Sequence, residues 1–148
     1  MKTILIAVLT AFSFLCHAQN EAEADISKMG HFKLRAYLKE HGLKTASGHI
    51  VKVGDELILG KGTMPDKRFA FIYQAPTSAI TQSSYDGSVK AYLNSSATGR
   101  KATVKAFMTS GMKKGNYSIF VVVGVNEPVN YWIELSNALE AGEVKQPE

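Results

Sequence analysis

Tyr117 to Val125 reads YSIFVVVGV, a run that is apolar on both faces of any strand it could form. A strand with one wet face would alternate, whereas an unbroken apolar run between Gly and Asn turns indicates a central strand covered from both sides. Such a strand needs a neighbour along each edge to satisfy its N–H and C=O groups. The chain is thereby committed to a sheet, and the rest of the sequence must supply the other strands.

Those strands are visible as period-two patterns. From His49 onward come Ile50, Val51 and Val53, then Gly54-Asp55, then Leu57, Ile58 and Leu59. Gly-Asp between two such runs suits a two-residue hairpin turn, because Gly accepts positive φ at the first turn position. Gly60 to Lys67, with Gly60, Gly62, Pro65 and Asp66, reads as a loop. Phe69, Phe71 and Tyr73 alternate with Ala70 and Ile72 as a third strand. Residues 75–100 are rich in Ser, Thr and Ala, broken by Pro76, Gly87 and Gly99, with a short strand at Val89, Ala91 and Leu93. Thr103 to Met108 precedes a loop at Gly111 to Asn116, and Asn126-Glu127-Pro128 turns the chain into Val129 to Glu134.

Two helices flank this region. Over residues 20–42, Asn20 and Glu23 have capping-box spacing, Glu21, Glu23 and Asp25 place negative charge at the start, and Lys39, His41 and Gly42 form the stop. A short terminal helix runs from a Ser136 cap to Ala141 and ends at Gly142.

The N-terminus carries an address. Lys2 precedes an apolar stretch from Ile4 to Leu15, followed by Cys16, His17, Ala18 and Gln19. This is the three-part pattern of a secretory signal, its centre shorter than the ~20 residues of a membrane span. Cleavage is expected between Ala18 and Gln19. The alternative is a lipoprotein signal acylated at Cys16, against which stands Leu15, where Gly or Ala is usual. Cleavage leaves 130 residues with 16 basic and 13 acidic side chains and removes the sole cysteine. No disulfide can then form, so stability must come from the core. No later segment is apolar enough to span a membrane, and the mature form is expected to be soluble, in the periplasm or outside the cell.

The expected organisation is a signal peptide at 1–18, an N-terminal helix and linker at 19–47, and a β domain at 48–148. Runs of short strands separated by Gly and Pro turns suggest a mainly β (α+β) fold: a small, partly open barrel of the Src-homology-3 or oligonucleotide-binding kind, with the N-terminal helix over one opening. The segments HIVKVGDELILGKG and VNYWIELSNALEAGEV resemble parts of small exported bacterial domains that carry no assigned activity. The likeness covers half of the mature chain, implies a β-rich fold and transfers no catalytic residue.

Candidate chemistry is sparse. KRFAFIYQ, Lys67 to Gln74, resembles the aromatic strand of RRM and cold-shock domains, where alternating rings stack on unpaired bases. Arg68 stands where that pattern has glycine and Gln74 where it has an aromatic, and an export signal argues against RNA. Basic residues gather near expected turns, at Lys61, Lys67 and Arg68, at Arg100, Lys101 and Lys105, and at Lys113 and Lys114. Brought to one end of a barrel, they would attract an anionic glycan, a lipid headgroup or an envelope protein. The plainer reading is protection of loops and edges.

Tyr73, Tyr131 and Trp132 are the ring candidates for such a surface. On a strand, Tyr131 and Trp132 face opposite ways; the plainer expectation puts Trp132 in the core and Tyr131 at the rim. The loop Gly60-Lys61-Gly62-Thr63 is similar to a phosphate cradle but lacks the Walker spacing, and no helix follows it. His31, His41 and His49 are not spaced as a zinc pair and read as solvated; no metal or other cofactor is expected. Asp55, Glu56, Asp66 and Asp86 fall in turns, leaving a small hydrolase as the alternative to a non-catalytic binding or structural module. A single-strand nucleic-acid barrel is a further alternative.

Overall fold

The computed structural model describes residues 25–74, 91–111 and 117–146. The expected leader and its cut, the capping pair Asn20 and Glu23, Asp86, Val89, Lys113 and Lys114 lie outside those residues.

The fold is mainly β. Helix α1 (His31–His41) is followed by the strands β1 (Leu43–Lys44), β2 (Ile50–Val51), β3 (Glu56–Leu59), β4 (Ile72–Gln74), β5 (Lys101–Ser110), β6 (Ser118–Gly124) and β7 (Asn130–Ile133), then by α2 (Leu135–Glu140) and β8 (Val144–Lys145). Six strands form one antiparallel sheet in the order β4-β7-β6-β5-β3-β8, and β1 pairs with β2 separately. The apolar run sits inside the sheet: β6 pairs with β5 from Thr103↔Gly124 to Ser110↔Ser118 and with β7 from Val121↔Ile133 to Gly124↔Asn130.

The sheet curls into a half-barrel around one core. Alternate residues point inward: Val104 and Phe107 of β5, Val121 and Val123 of β6, Tyr131 and Ile133 of β7. Ile72 from one edge strand and Val144 from the other reach the same cluster. Leu34 and Leu38, one turn apart on α1, cover it. His31 fastens the start of that helix to the end of β5. Its Nε2–H donates to the Gly111 carbonyl at 2.8 Å, and its Nδ1 meets the Thr109 hydroxyl at 2.7 Å. The ring packs on Tyr117. The expectation of a solvated His31 is therefore corrected.

Other local expectations are corrected as well. The helix starts at His31 rather than residue 20, because Asp25 caps a separate 3-10 turn at Ile26–Lys28 and Gly30 is extended, with ψ 163°. Gly54-Asp55 does turn the chain, with Gly54 at φ 97°, yet the strands beside it do not pair with each other. β2 pairs with β1. β3 pairs with β5, and the turn itself docks there: the Gly54 N–H donates to the Val104 carbonyl, and the Val104 N–H donates to the Asp55 carbonyl. The third strand shrinks to Ile72–Gln74. Ala91 to Leu93 runs along its free edge, the Leu93 N–H donating to Ile72 and the Gln74 N–H to Ala91. α2 begins at Leu135, its N-cap Glu134 making no side-chain cap, and Gly142 at φ 73° follows its end. No helix among the described residues is long and apolar enough to cross a membrane.

Candidate functional site

β4 and β8 are opposite edges of the sheet, and the chain passes between the two sides twice, through 60–71 and through 134–143. Glu143 joins these crossings. Its side chain is fully buried, and its two carboxylate oxygens accept four hydrogen bonds. Oε1 takes the Thr63 N–H at 2.9 Å, the Thr63 hydroxyl at 2.5 Å and the Ala70 N–H at 2.7 Å; Oε2 takes the Phe71 N–H at 3.0 Å. All four donors are neutral, and together they form a small anion-binding nest. Within the loop Gly60-Lys61-Gly62-Thr63 only Thr63 bonds this carboxylate, and the other two donors are Ala70 and Phe71.

The nest also explains why the third strand begins late. The N–H groups of Ala70 and Phe71 go to a carboxylate and not to a neighbouring strand. The Gly60 N–H donates to the Glu143 carbonyl at 2.8 Å, and a Cβ at position 60 would collide with the Gly142 carbonyl. Glycine is required there by close backbone approach. Glu143 was not legible as a site residue: it lies in a turn after a short helix and has no patterned partner in sequence.

The face of the sheet turned away from the core carries a different group of side chains. Trp132 and Tyr73 are cross-strand partners, and neither belongs to the core cluster. Trp132 stacks on Phe120 with ring centres 4.9 Å apart, and Phe120 is the cross-strand partner of Met108. On the other side, Tyr73 meets Tyr92 edge-on at 6.2 Å, and the Arg68 guanidinium lies 5.8 Å from the centre of the Tyr92 ring. The row runs Arg68, Tyr92, Tyr73, Trp132, Phe120, Met108. Phe120, Trp132 and Met108 are half-buried, while Tyr73 is buried and donates its hydroxyl to Glu134.

A β-bulge aims a cation at this face. The register of β5 against β6 slips between Val104 and Ala106, leaving Lys105 as the extra residue. Its side chain lies across Gly124, where a Cβ would strike it. Lys105 is exposed and has no carboxylate partner among the described residues.

The structure brings Arg68, Tyr73 and Trp132 into one row and sends the other candidates elsewhere. Tyr131 points into the core and Trp132 away from it, which reverses the expected assignment of the two rings. Arg100 bonds Glu127 at 3.1 Å, Lys101 bonds Glu56 at 2.6 Å and Arg68 bonds Asp66 at 2.6 Å, so three of the expected basic side chains face a carboxylate. Lys61 and Lys67 are exposed on the loop after β3, with Lys67 at φ 67°.

The turn carboxylates are occupied one at a time. Asp55 accepts the Lys52 N–H, Glu56 holds Lys101, and Asp66 holds Arg68, whose N–H and guanidinium keep its carboxyl below the usual range. No group of three metal-ligating side chains is found among the described residues. Of the three rings of KRFAFIYQ, Phe69 is fully buried, Tyr73 is buried, and Phe71 packs on the core.

Tyr131 offers a direct test of this arrangement. Burial, reinforced by its hydrogen bond to Glu127 at 2.7 Å, pushes its phenol up to about 12. A raised pKa favours the neutral phenol in the folded state. The associated stability is present below pH ~10 and is lost as pH rises through ~12. In an ultraviolet titration a step near pH 12 should be present, and Tyr131→Phe should diminish it. Titration of every tyrosine near the ordinary value would contradict the inward placement of Tyr131.

No family model, curated protein or solved structure matches this chain.

Proposed function

We propose that this chain is an exported, non-catalytic binding module of the bacterial envelope or extracellular space. In this reading its half-barrel is a partly open barrel of the Src-homology-3 or oligonucleotide-binding kind, and the outer sheet face takes an anionic glycan. The observation that carries the reading is the Phe120–Trp132 stack on the face turned away from the core, with the bulged Lys105 laid over Gly124 on that same face. Sugar rings present C–H groups that pack on an aromatic face, and a uronate or phosphate on the sugar would meet the ammonium. The leader pattern at 1–18 supports delivery across the membrane, where such polymers are found. The separate local engagement of Asp55, Glu56 and Asp66 favours binding over hydrolysis.

Trp132 is the only tryptophan, so its fluorescence reports on this face directly. Oligogalacturonate should quench or shift its emission in a salt-sensitive manner, and neutral cello-oligosaccharide should do so less. Lys105→Gln should weaken the response about two- to fivefold, as expected for an exposed ionic contact. Trp132→Ala should abolish retention on immobilised polygalacturonate while leaving the circular dichroism unchanged. Emission that no anionic glycan perturbs, or equal retention of wild type and Trp132→Ala, would refute the reading. Pull-down from envelope fractions with the same variants extends the test to polymers of the native surface.

A further inference from the structure

A second surface lies on α1, apart from the sheet face. Leu34 and Leu38 turn one side of the helix to the core. Phe32, Arg35, Ala36 and Lys39 recur at i, i+3, i+4 and i+7 and therefore share another side. Phe32 is 86% exposed, the most exposed large apolar side chain among the described residues, and Ile26 in the preceding 3-10 turn is 39% exposed. The Arg35 guanidinium lies 5.3 Å from the centre of the Phe32 ring. Lys33, Arg35 and Lys39 make no ion pair among the described residues, and Glu40 is the sole carboxylate of the helix. Glu40, one turn after Ala36, is also exposed there, and the three cations outnumber it.

We infer that this side of α1 docks on an anionic lipid surface, with Phe32 and Ile26 entering the headgroup layer and Lys33, Arg35 and Lys39 meeting the phosphates. The charge is complementary to such a surface, and apolar-plus-basic helix faces are the form that interfacial helices take. Chain position agrees. Nine residues separate the apolar leader segment, ending at Leu15, from Asp25, and a chain of that length reaches no further than roughly 30 Å. Until the leader is cut, α1 is therefore held near the membrane that the leader engages. Docked through α1, the module stays at the membrane and leaves its sheet face for the polymer beyond it.

The test uses protein recovered from cells carrying the whole coding sequence, with its N-terminus read by mass spectrometry. It is sedimented with vesicles of phosphatidylcholine and with an equimolar mixture of phosphatidylcholine and phosphatidylglycerol. Binding to the anionic vesicles is expected, weakening with salt. Lys33→Gln and Lys39→Gln should each reduce it about fivefold. Phe32→Ser should reduce it about tenfold or more without changing thermal stability, since the ring has little to lose from the folded state. Trp132→Ala should leave vesicle binding unchanged, so failure of the glycan reading is distinguishable from failure of this one. The inference is overturned by absence of binding to anionic vesicles. It is equally overturned by binding to both vesicle types that Phe32→Ser and Lys39→Gln leave intact, which would locate the attraction in the leader.

Discussion

Glu143→Ala is expected to lower the stability of the fold by about 3–5 kcal/mol, a large part of the ~5–15 kcal/mol that holds a domain of this kind together. The size follows from what remains behind. Three backbone N–H groups and one hydroxyl, from Thr63, Ala70 and Phe71, would lose the fully buried acceptor they share. Graded variants separate the contributions. Thr63→Val removes one donor to a charged acceptor and should cost about 1.5–3 kcal/mol. Glu143→Gln keeps an acceptor for the three donors on Oε1 but sets an NH2 group against the Phe71 N–H, for about 2 kcal/mol. Urea unfolding followed by circular dichroism gives each value. An alanine variant within about 1 kcal/mol of wild type would mean that the carboxylate does not tie the 60–71 crossing to β8.

Phe69→Ala should be comparably damaging, at about 3–5 kcal/mol, because the ring is fully buried and its removal leaves a cavity. The same substitution decides between two uses of the aromatic segment. A ring that stacks on a base would lose binding and leave stability nearly untouched. Phe69 should do the reverse, with a lowered urea midpoint and unchanged behaviour on immobilised single-stranded DNA. Stability equal to wild type would place Phe69 on a surface and reopen the nucleic-acid alternative.

How far the fold was legible depended on the range of the forces involved. Tyr117 to Val125 could be placed as a central strand from its nearly continuous apolar side chains, although the expected covering on both faces is incomplete, with Ser118 exposed and Phe120 half-buried. Gly42, Gly54 and Gly142 mark chain reversals because positive φ is a property of one residue. Pairing was not local in this way. The runs around Gly54-Asp55 looked like a hairpin, yet β3 pairs with β5 and β8, which are distant in sequence. Phe69 and Phe71 looked like strand residues because their alternation is real. The Phe69 N–H goes to the Leu93 carbonyl, and those of Ala70 and Phe71 go to a carboxylate more than seventy residues away.

The candidate site was legible to a similar depth. Tyr131 and Trp132 had to face opposite ways on any strand, and so a ring on each side of the sheet followed from the sequence alone. Which ring faced the core depended on the register of β7 between β4 and β6, and this put Tyr131 beside Glu127 and Trp132 on Phe120. The grouping of Lys61, Lys67, Arg68, Arg100 and Lys101 into one basic end did not follow from their positions in turns. Glu56, Asp66 and Glu127 stand next to three of them in space.

What the amino-acid order determined by itself was therefore the longer strands, the breaks between them and the leader pattern, while the short strands β1 and β8 were not legible. Each legible feature depends on side chains a few residues apart. The tertiary structure decided which strands meet, which face of each is wet and where the buried carboxylate of Glu143 finds its donors. Those outcomes depend on contacts between segments that only the curled sheet brings together around its core, where water is excluded and a buried polar group needs a partner.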